Sequence, residues 1–448
     1  MKDHAQFTAS TRPTRRCLEA LAPFGVTVER GSVIPPTHDE ALAALRQLEP
    51  GEVATIGGHS GAGKSRLLRA LAETLGDDAV VVAAPSPKRL IADQFEGLAA
   101  SELMPALTAA GLGEARVLAV TPGQLSDGER ARLSLAIALH RAEQTNAGWL
   151  LADEFGSVLD RETAACVAAA VRLRLSRSTN GLRLVVASAH EDLPSLIAPD
   201  LNLRLRERSC EIARPRKTRP LALRRRPTIE RGTIADFDGL AHHHYRAGRP
   251  ATWSRVLRAV TRPGDVAGVL VASYPTLNGS WRDRAWPDRY SADDKHAAAM
   301  RVNRELRCIS RFVVTPRWRG LGVASGLVRV YLAEPETQAT EAVSVMGAAS
   351  PFFDAAGMTR YRLAPGDADR RLLDAIEEAG VEAWRLVERK QAERIMESSW
   401  LAHEVARWKR ESGARTRWLE TSAQVMRAAA ARVAALVCGG GSVAHAYA

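Results

Sequence analysis

The segment Gly58-His59-Ser60-Gly61-Ala62-Gly63-Lys64-Ser65 constrains this chain more than any other, because it reads GxxxxGKS and follows an apolar run, Val53 to Ile56, that predicts a strand. Glycines 58, 61 and 63 let consecutive backbone N–H groups turn inward around an anion, with Ser60 inside the loop. The helix expected to follow adds its positive N-terminal end. Lys64 is placed to reach outer phosphates and Ser65 to hold a magnesium ion. The pattern predicts a site for ATP or GTP.

Partner motifs follow in order. Trp149-Leu150-Leu151-Ala152-Asp153-Glu154 is an apolar strand ending in two carboxylates, which sets Asp153 on magnesium through water and Glu154 beside an attacking water. Between the two lies Leu125-Ser126-Asp127-Gly128-Glu129-Arg130, ahead of a helical apolar pattern from Leu133 to Leu139. The set resembles the ATPase domain of the ABC family over residues 1–213. Gln94 matches that family's magnesium-sensing glutamine, Leu125 to Arg130 is similar to its LSGGQ signature, Ser157-Val158-Leu159-Asp160 matches its D-loop, and His190 follows the strand Leu184 to Ala187. The resemblance implies ATP with Mg2+, catalytic roles for Gln94, Glu154 and His190, magnesium contacts from Ser65, Gln94 and Asp153, and nucleotide contacts from Ser126, Gly128 and Asp160. It also implies a homodimer in which each ATP lies between two ATPase domains. Asp127 and Glu129 depart from the signature by adding negative charge near a triphosphate, so weak ATP affinity or turnover is expected. Phe24 is the nearest aromatic for adenine and reads as a core residue.

Composition narrows the class. No run of about 20 apolar residues exists, and Met1 to Arg16 is polar and lacks an apolar signal core, so a cytoplasmic protein that is not membrane-embedded is expected. A separate membrane partner stays open. Cys17, Cys166, Cys210, Cys308 and Cys438 have neither pairing nor metal spacing, which points to reduced thiols. The formal charge is +11, with Arg204, Arg206, Arg208, Arg214, Arg216, Lys217, Arg219, Arg224, Arg225 and Arg226 massed around Pro215, Pro220 and Pro227. The span 214–227 reads as a basic linker that contacts nucleic acid or is simply solvated.

Beyond it, Trp253 to Val260 and Val266 to Tyr274 predict a hairpin turned by Arg262-Pro263-Gly264-Asp265, and Leu306 to Val314 a third strand. Arg317-Trp318-Arg319-Gly320-Leu321-Gly322-Val323-Ala324 is a second glycine loop between strand and helix, where amides can approach a pyrophosphate. With the strand Ala342 to Met346 and the segment Ser350 to Met358, residues 228–366 resemble the GNAT acetyltransferase family. That resemblance implies acetyl-CoA held by Val314, Arg317, Arg319, Gly320, Gly322, Val323 and Ala324, with two strands splayed around the pantetheine arm. Glu305 matches the family's frequent base, or is a surface carboxylate. Phe353 stands where many members carry an acidic tyrosine, leaving Tyr361 as a substitute or as packing.

His242-His243-His244-Tyr245 and Cys308-Ile309-Ser310-Arg311 make this part loosely similar to the phage Mom group of GNAT-like DNA modifiers. That likeness implies His244, Tyr245 and Ser310 lining the site and iron on His244; a polar helix end is the other reading. Asn278 to Tyr290 interleaves Trp281, Trp286 and Tyr290 with Arg282, Arg284 and Arg289, as a lid that stacks an unpaired base or as a loop burying its tryptophans in the domain. Residues 367–448 read as helices with a disordered end freed by Gly439 to Gly441.

The expected fold class is α/β: an ABC-type P-loop ATPase domain, then a GNAT-fold α+β domain and a helical C-terminal region. The expected function is ATP hydrolysis coupled to a transferase that modifies an amine on nucleic acid, DNA before RNA. The alternatives are an ATP-regulated N-acetyltransferase of a small amine or protein, a non-catalytic ATP-driven clamp, and the ATPase subunit of a membrane transporter.

Overall fold

The computed structural model describes residues 6–9, 12–30, 38–206, 209–243, 248–277, 279–291, 294–344, 351–396, 398–412, 416, 419–438 and 442–447. His244 and Tyr245 lie outside the described residues, as do Arg208, Asn278 and Gly439 to Gly441. A small parallel ribbon, β1 (Gln6–Ala9) with β2 (Thr27–Arg30), precedes the main body. Phe24, at the end of a 3-10 turn between them, is 75% exposed, so it is not the core residue its type suggests.

The first lobe is built on a six-stranded sheet of β3 (Val53–Gly57), β4 (Ala79–Val81), β5 (Trp149–Ala152), β6 (Arg183–Ala187), β7 (Leu201–Leu205) and β8 (Cys210–Ala213), ordered β4-β5-β6-β3-β7-β8. Every pairing is parallel except β7 with β8. Parallel strands covered by helices on both faces must be apolar on both, which is why Val53 to Ile56 and Leu184 to Ala187 are buried without a break. The helix Arg161–Leu175 is buried continuously from Thr163 to Val171. A helix apolar all round has no solvent face and must be enclosed.

What encloses it is the second lobe. The interval 214–227 is not a loose linker: it folds into a short helix, Leu221–Arg224, whose Ala222 is buried in the core that also holds Ala164 to Val171, Trp318 and Leu321. Arg204, Arg206 and Arg214 pair with Glu191, Glu211 and Glu52, whereas Arg216, Lys217, Arg219, Arg225 and Arg226 are exposed. The predicted basic face therefore survives in part.

The second lobe carries a seven-stranded sheet of β9 (Thr228–Arg231), β10 (Arg255–Val260), β11 (Val266–Ser273), β12 (Leu306–Val314), β13 (Ala339–Ser344), β14 (Thr359–Arg362) and β15 (Val443–Tyr447). Its order is β14-β15-β13-β12-β11-β10-β9, and only β12 with β13 is parallel. The hairpin forms as expected, with Gly264 at φ 102° in its turn. The C-terminal end differs from expectation. After helices Asp367–Glu378, Arg389–Met396, Ser399–Glu411 and Ser422–Val437, which share a core around Leu372, Trp408 and Val433, the chain returns as β15 and inserts between β13 and β14. The sheet that began at residue 228 is thus completed only by residues 443–447, because β13 and β14 have no pairing with each other. Residues 443–446 are all buried, so this short strand shows no two-residue alternation for a sequence reading to register.

His445 is fully buried on this strand, its ring tilted against Phe353 at 4.9 Å between centroids, and its ring nitrogens make no protein hydrogen bond; Asp354 lies 3.6 Å away. Burial holds its pKa below the usual histidine range, against the pull of Asp354 and with the push of Arg360. A depressed folded pKa means that the neutral ring supports the fold above the unfolded value and that stability is lost as pH falls. Denaturant unfolding should show stability declining below about pH 6.5 by up to about 1.4 kcal/mol per pH unit from this group. His445→Phe should flatten that decline.

Candidate functional site

The carboxyl ends of β3, β5 and β6 reach one edge of the parallel sheet: Ile56 pairs with Ala187 and Ala152 with Val186, and Ser188 N–H donates to Ile56 O at 3.1 Å. Open α/β sheets place ligands at that edge. The glycine loop leaves β3 there, with Gly58, Gly61 and Gly63 at φ 146°, 85° and 96°, where an L side chain is strained. A Cβ on Gly58 would also stand 2.7 Å from Leu205 O. Gly63 begins the helix Lys64–Leu75, so the loop delivers amides and a helix N-terminus to one point. Lys64 is buried and donates to Gly58 O and His59 O at 2.9 Å each, which folds its ammonium over the loop. Ser60 and Ser65 are exposed.

Next along the edge, Asp153 and Glu154 are both exposed just past β5. Glu154 has φ 49°, an uncommon conformation for a non-glycine residue, and its N–H donates to Asp153 Oδ1 at 2.9 Å. His190 is exposed beyond β6, its N–H donating to Ser188 Oγ at 3.2 Å. Gln94 departs from its expected role. Its amide is tied at both ends within its own loop, accepting from Ser86 N–H at 3.0 Å and donating to Ser86 O and Arg89 O. It lines a cavity of about 160 Å³ with His140 and Arg141, and its amide has to let go of that backbone before it can sense a metal.

The signature segment is a helix start. Ser126 caps the helix Asp127–Gln144 and exchanges hydrogen bonds with Glu129, whose carboxylate also takes Arg116. Burial works against that carboxylate, but the Ser126 N–H and Arg116 outweigh it and hold its pKa below the usual range. Asp127 pairs with Arg130 at 2.8 Å. Each of these two carboxylates thus has an arginine partner close by. Gly128 has a steric reason to be glycine, since a Cβ would lie 3.1 Å from Leu159 Cδ2 and 3.5 Å from Val158 O. Asp160 then caps the helix Arg161–Leu175 through Thr163 N–H at 2.9 Å.

The second glycine loop repeats the backbone of the first. Gly320 and Gly322 have φ 76° and 84°, both are exposed, and Gly322 begins the helix Val323–Ala333, with Val323 buried and Ala324 half-buried. Its arginines, however, face the first lobe. Arg317 pairs with Glu162 at 3.1 Å and lies 3.9 Å from Asp160, and Trp318 Nε1 donates to Glu162 Oε1 at 3.3 Å. Arg319 donates to Val314 O at 2.9 Å, to Gly113 O and to His243 O, and its burial lowers its pKa. A Cβ on Gly320 would stand 3.6 Å from Thr108 Cγ2. The side chains of Arg317 and Arg319, and the carbonyl of Val314, are engaged in holding the lobes together; only the loop's amides remain for an anion.

Strands β12 and β13 pair from Leu306 with Ala339 to Ile309 with Ala342 and then separate. A bulge at Ser310 coincides with the parting, between the partners of Val271 and Ala272. The Ser310 hydroxyl is bonded to Ser273 Oγ at 2.5 Å and to Val271 O, so it is engaged inside the sheet. Glu305 ends the helix Lys295–Glu305 instead of starting the strand, and is paired with Arg304 at 2.9 Å and Arg289 at 3.1 Å. The Arg304 hydrogen bond leads in holding its pKa below the carboxylate range, which makes it a poor base. Tyr361 cannot replace an acid at Phe353. Phe353 packs against His445, whereas Tyr361 pairs in register with Ala444 and packs by Trp281 and Trp286 on the other face. Among the described residues no group of three or more His, Cys, Asp or Glu side chains gathers as a metal set.

Residues 279–291 and 294–305 cover this second face. Trp286 and Tyr290 are buried with Val302 and Leu306, which selects the loop reading for most of the expected lid; Trp281 stays half-buried and Arg284 exposed. Arg282 anchors the cover from below, donating to both oxygens of buried Glu341 at 2.8 Å and to Thr276 O and Leu277 O.

No family model matches the chain, and no curated protein matches it. Solved structures similar to it include the dimeric MJ0796, a bacterial ABC transporter cassette, at 20% identity over 38% of this chain and 89% of that chain, with a TM-score of 0.33. Another is cbiO1 from Clostridium perfringens, part of the ABC transporter complex cbiONQ, at 18% identity over 37% and 78% of the two chains, with a TM-score of 0.29.

Removing one partner of a buried ion pair leaves the other charge without compensation. Arg282→Ala should therefore cost about 3–5 kcal/mol in denaturant unfolding. Arg284→Ala, next to it on the exposed side, should cost under about 1 kcal/mol.

Proposed function

We propose that this protein hydrolyses ATP in the manner of the ABC family and uses the cycle to act on nucleic acid through its second lobe. The observation that carries the first half is the convergence of the Gly58–Ser65 loop, the Asp153-Glu154 pair and His190 at the carboxyl edge of one parallel sheet. Loop amides and Lys64 hold the phosphates, Glu154 orients water for in-line attack on the outer one, and His190 faces the same space. Ser65, exposed in the first turn of the helix Lys64–Leu75, and Asp153, exposed just past β5, are the groups that would hold a magnesium ion, which would neutralise phosphate charge. A head-to-tail homodimer would add the helix N-terminus at Ser126 and Gly128 from a second copy.

For the second lobe, support comes from the parted strands β12 and β13 beside a helix that opens on two left-handed glycines. In this reading backbone amides of residues 320–324 hold an acyl-CoA pyrophosphate without help from Arg317 or Arg319. A bound donor would supply a thioester for an amine acceptor, and transfer would rest on positioning, since Glu305, Ser310 and Tyr361 are engaged or face elsewhere. Exposed Arg216, Lys217, Arg219, Arg225 and Arg226 favour nucleic acid as the acceptor over a small amine.

Phosphate-release assays test the first half. Glu154→Gln should lower turnover by about 10²- to 10⁴-fold while retaining nucleotide. Lys64→Ala should remove nucleotide binding itself. Unchanged turnover in Glu154→Gln would place the hydrolytic centre elsewhere. Mass spectrometry of nucleosides from cells with and without the protein tests the second half: a new base mass that requires the intact glycine loop is expected.

A further inference from the structure

A cleft of about 910 Å³ opens at the far end of the second lobe, away from both glycine loops. One wall is Gly279 to Trp281 with Arg284, the floor is Val343 and Arg362 at the ends of β13 and β14, and the far wall is the start of the helix Asp367–Glu378 with Arg432. Val343 shares a sheet face with Glu341 and the cover held by Arg282, whereas Ala342 faces the core beneath the helix Val323–Ala333. The sheet therefore separates this cleft from the second glycine loop.

Four guanidinium groups and two carboxylates line it, and they do not cancel. Asp369 is buried and accepts from Arg432 at 2.7 Å and from Trp408 Nε1 at 2.9 Å; Asp367 pairs with Arg370 at 3.3 Å. Arg284 and Arg362 are left without a carboxylate. Arg284 donates to Arg362 O at 2.8 Å and lies 5.8 Å from the Tyr361 ring centre, which fixes its place, and the exposed Arg362 side chain has no partner among the described residues. Beside them the Trp281 indole is half-buried, propped by Trp286 and Tyr361 at 5.9 Å each. A supported aromatic ring next to an uncompensated cation is the chemistry that holds a base and a flanking phosphate.

We propose that this cleft binds single-stranded nucleic acid, with a base on Trp281 and a phosphodiester on Arg284. A strand suits it better than a free nucleotide, because a polyphosphate calls for a nest of amides. This wall offers one helix N-terminus whose first turn already carries Asp367 and Asp369. The volume matches a ligand of one or two nucleotides. The proposal rests on the nucleic-acid reading above and gives it a location; the basic segment at 214–227 then supplies a second, sequence-independent contact.

The test is fluorescence anisotropy of the full-length protein with a labelled single-stranded DNA dodecamer, its RNA counterpart and its duplex, over a salt series. Arg284→Gln should weaken binding severalfold and lower the salt slope by about 0.7. Trp281→Ala should weaken it about tenfold and Trp281→Phe much less. Arg284→Lys keeps the charge, so recovery of binding in it at unchanged melting temperature excludes misfolding. Binding that survives all cleft variants yet falls in Arg225→Gln, Arg226→Gln would overturn the cleft and leave nucleic acid as a partner. Displacement of the strand by adenosine monophosphate or coenzyme A at comparable concentration would make it a mononucleotide site and end the proposal. No binding of any strand would end both readings.

Discussion

The helix Arg161–Leu175 is the member on which both lobes are assembled. From Thr163 to Val171 it has no exposed residue, and five of its side chains in that run are alanines, small enough for neighbours to close in on every side. Its residues share one core with Leu150, Leu184 and Val186 of the parallel sheet and with Trp318 and Leu321 of the other lobe. Cys166 within it is driven by burial to a pKa of about 12, so its thiol stays protonated and acts as an apolar filler.

The polar end of the same helix does the aligning. Asp160 caps it and, with Glu162, receives Arg317 and Trp318 from the second glycine loop. Asp160 also follows Val158 and Leu159, which lie beside Gly128 in the helix Asp127–Gln144, so that helix and the second glycine loop are tied to one helix N-terminus. Burial opposes the charge on Asp160, but Thr163 and Arg317 together hold its pKa below the usual range. The seam is thus ionic at its rim and apolar beneath, an arrangement that fixes orientation as well as contact.

Much of the first lobe was legible because its motifs are local. A glycine loop after an apolar strand, a strand ending in Asp153-Glu154 and a capped helix at Ser126 each occupy a few consecutive residues, and their order on a parallel sheet follows from the crossover helices between them. The second lobe was legible in its strands and its Gly320–Gly322 loop for the same reason. What failed were assignments that depend on which face a side chain takes. Tyr361 and Phe353 are close in sequence but sit on opposite sides of the sheet, and Glu305 meets arginines from residues 289 and 304 that no local pattern singles out. The terminal strand was missed because five residues carry too little periodicity, and its reason for folding is the pair of unpaired strands waiting for it.

By itself, then, the sequence determined the backbone chemistry: where glycines permit amides to converge, where carboxylates end a strand and where helices begin. These are properties of φ and of adjacent residues, and they need no partner to be read. Tertiary structure decided which charges remain free. It turned Arg317 and Arg319 from ligand groups into a seam, neutralised Glu129, closed Trp286 and Tyr290 into a core, and left Arg284 and Trp281 facing a cleft. A charge is available only if no opposite group lies within a few ångströms, and that distance is set by segments far apart along the chain.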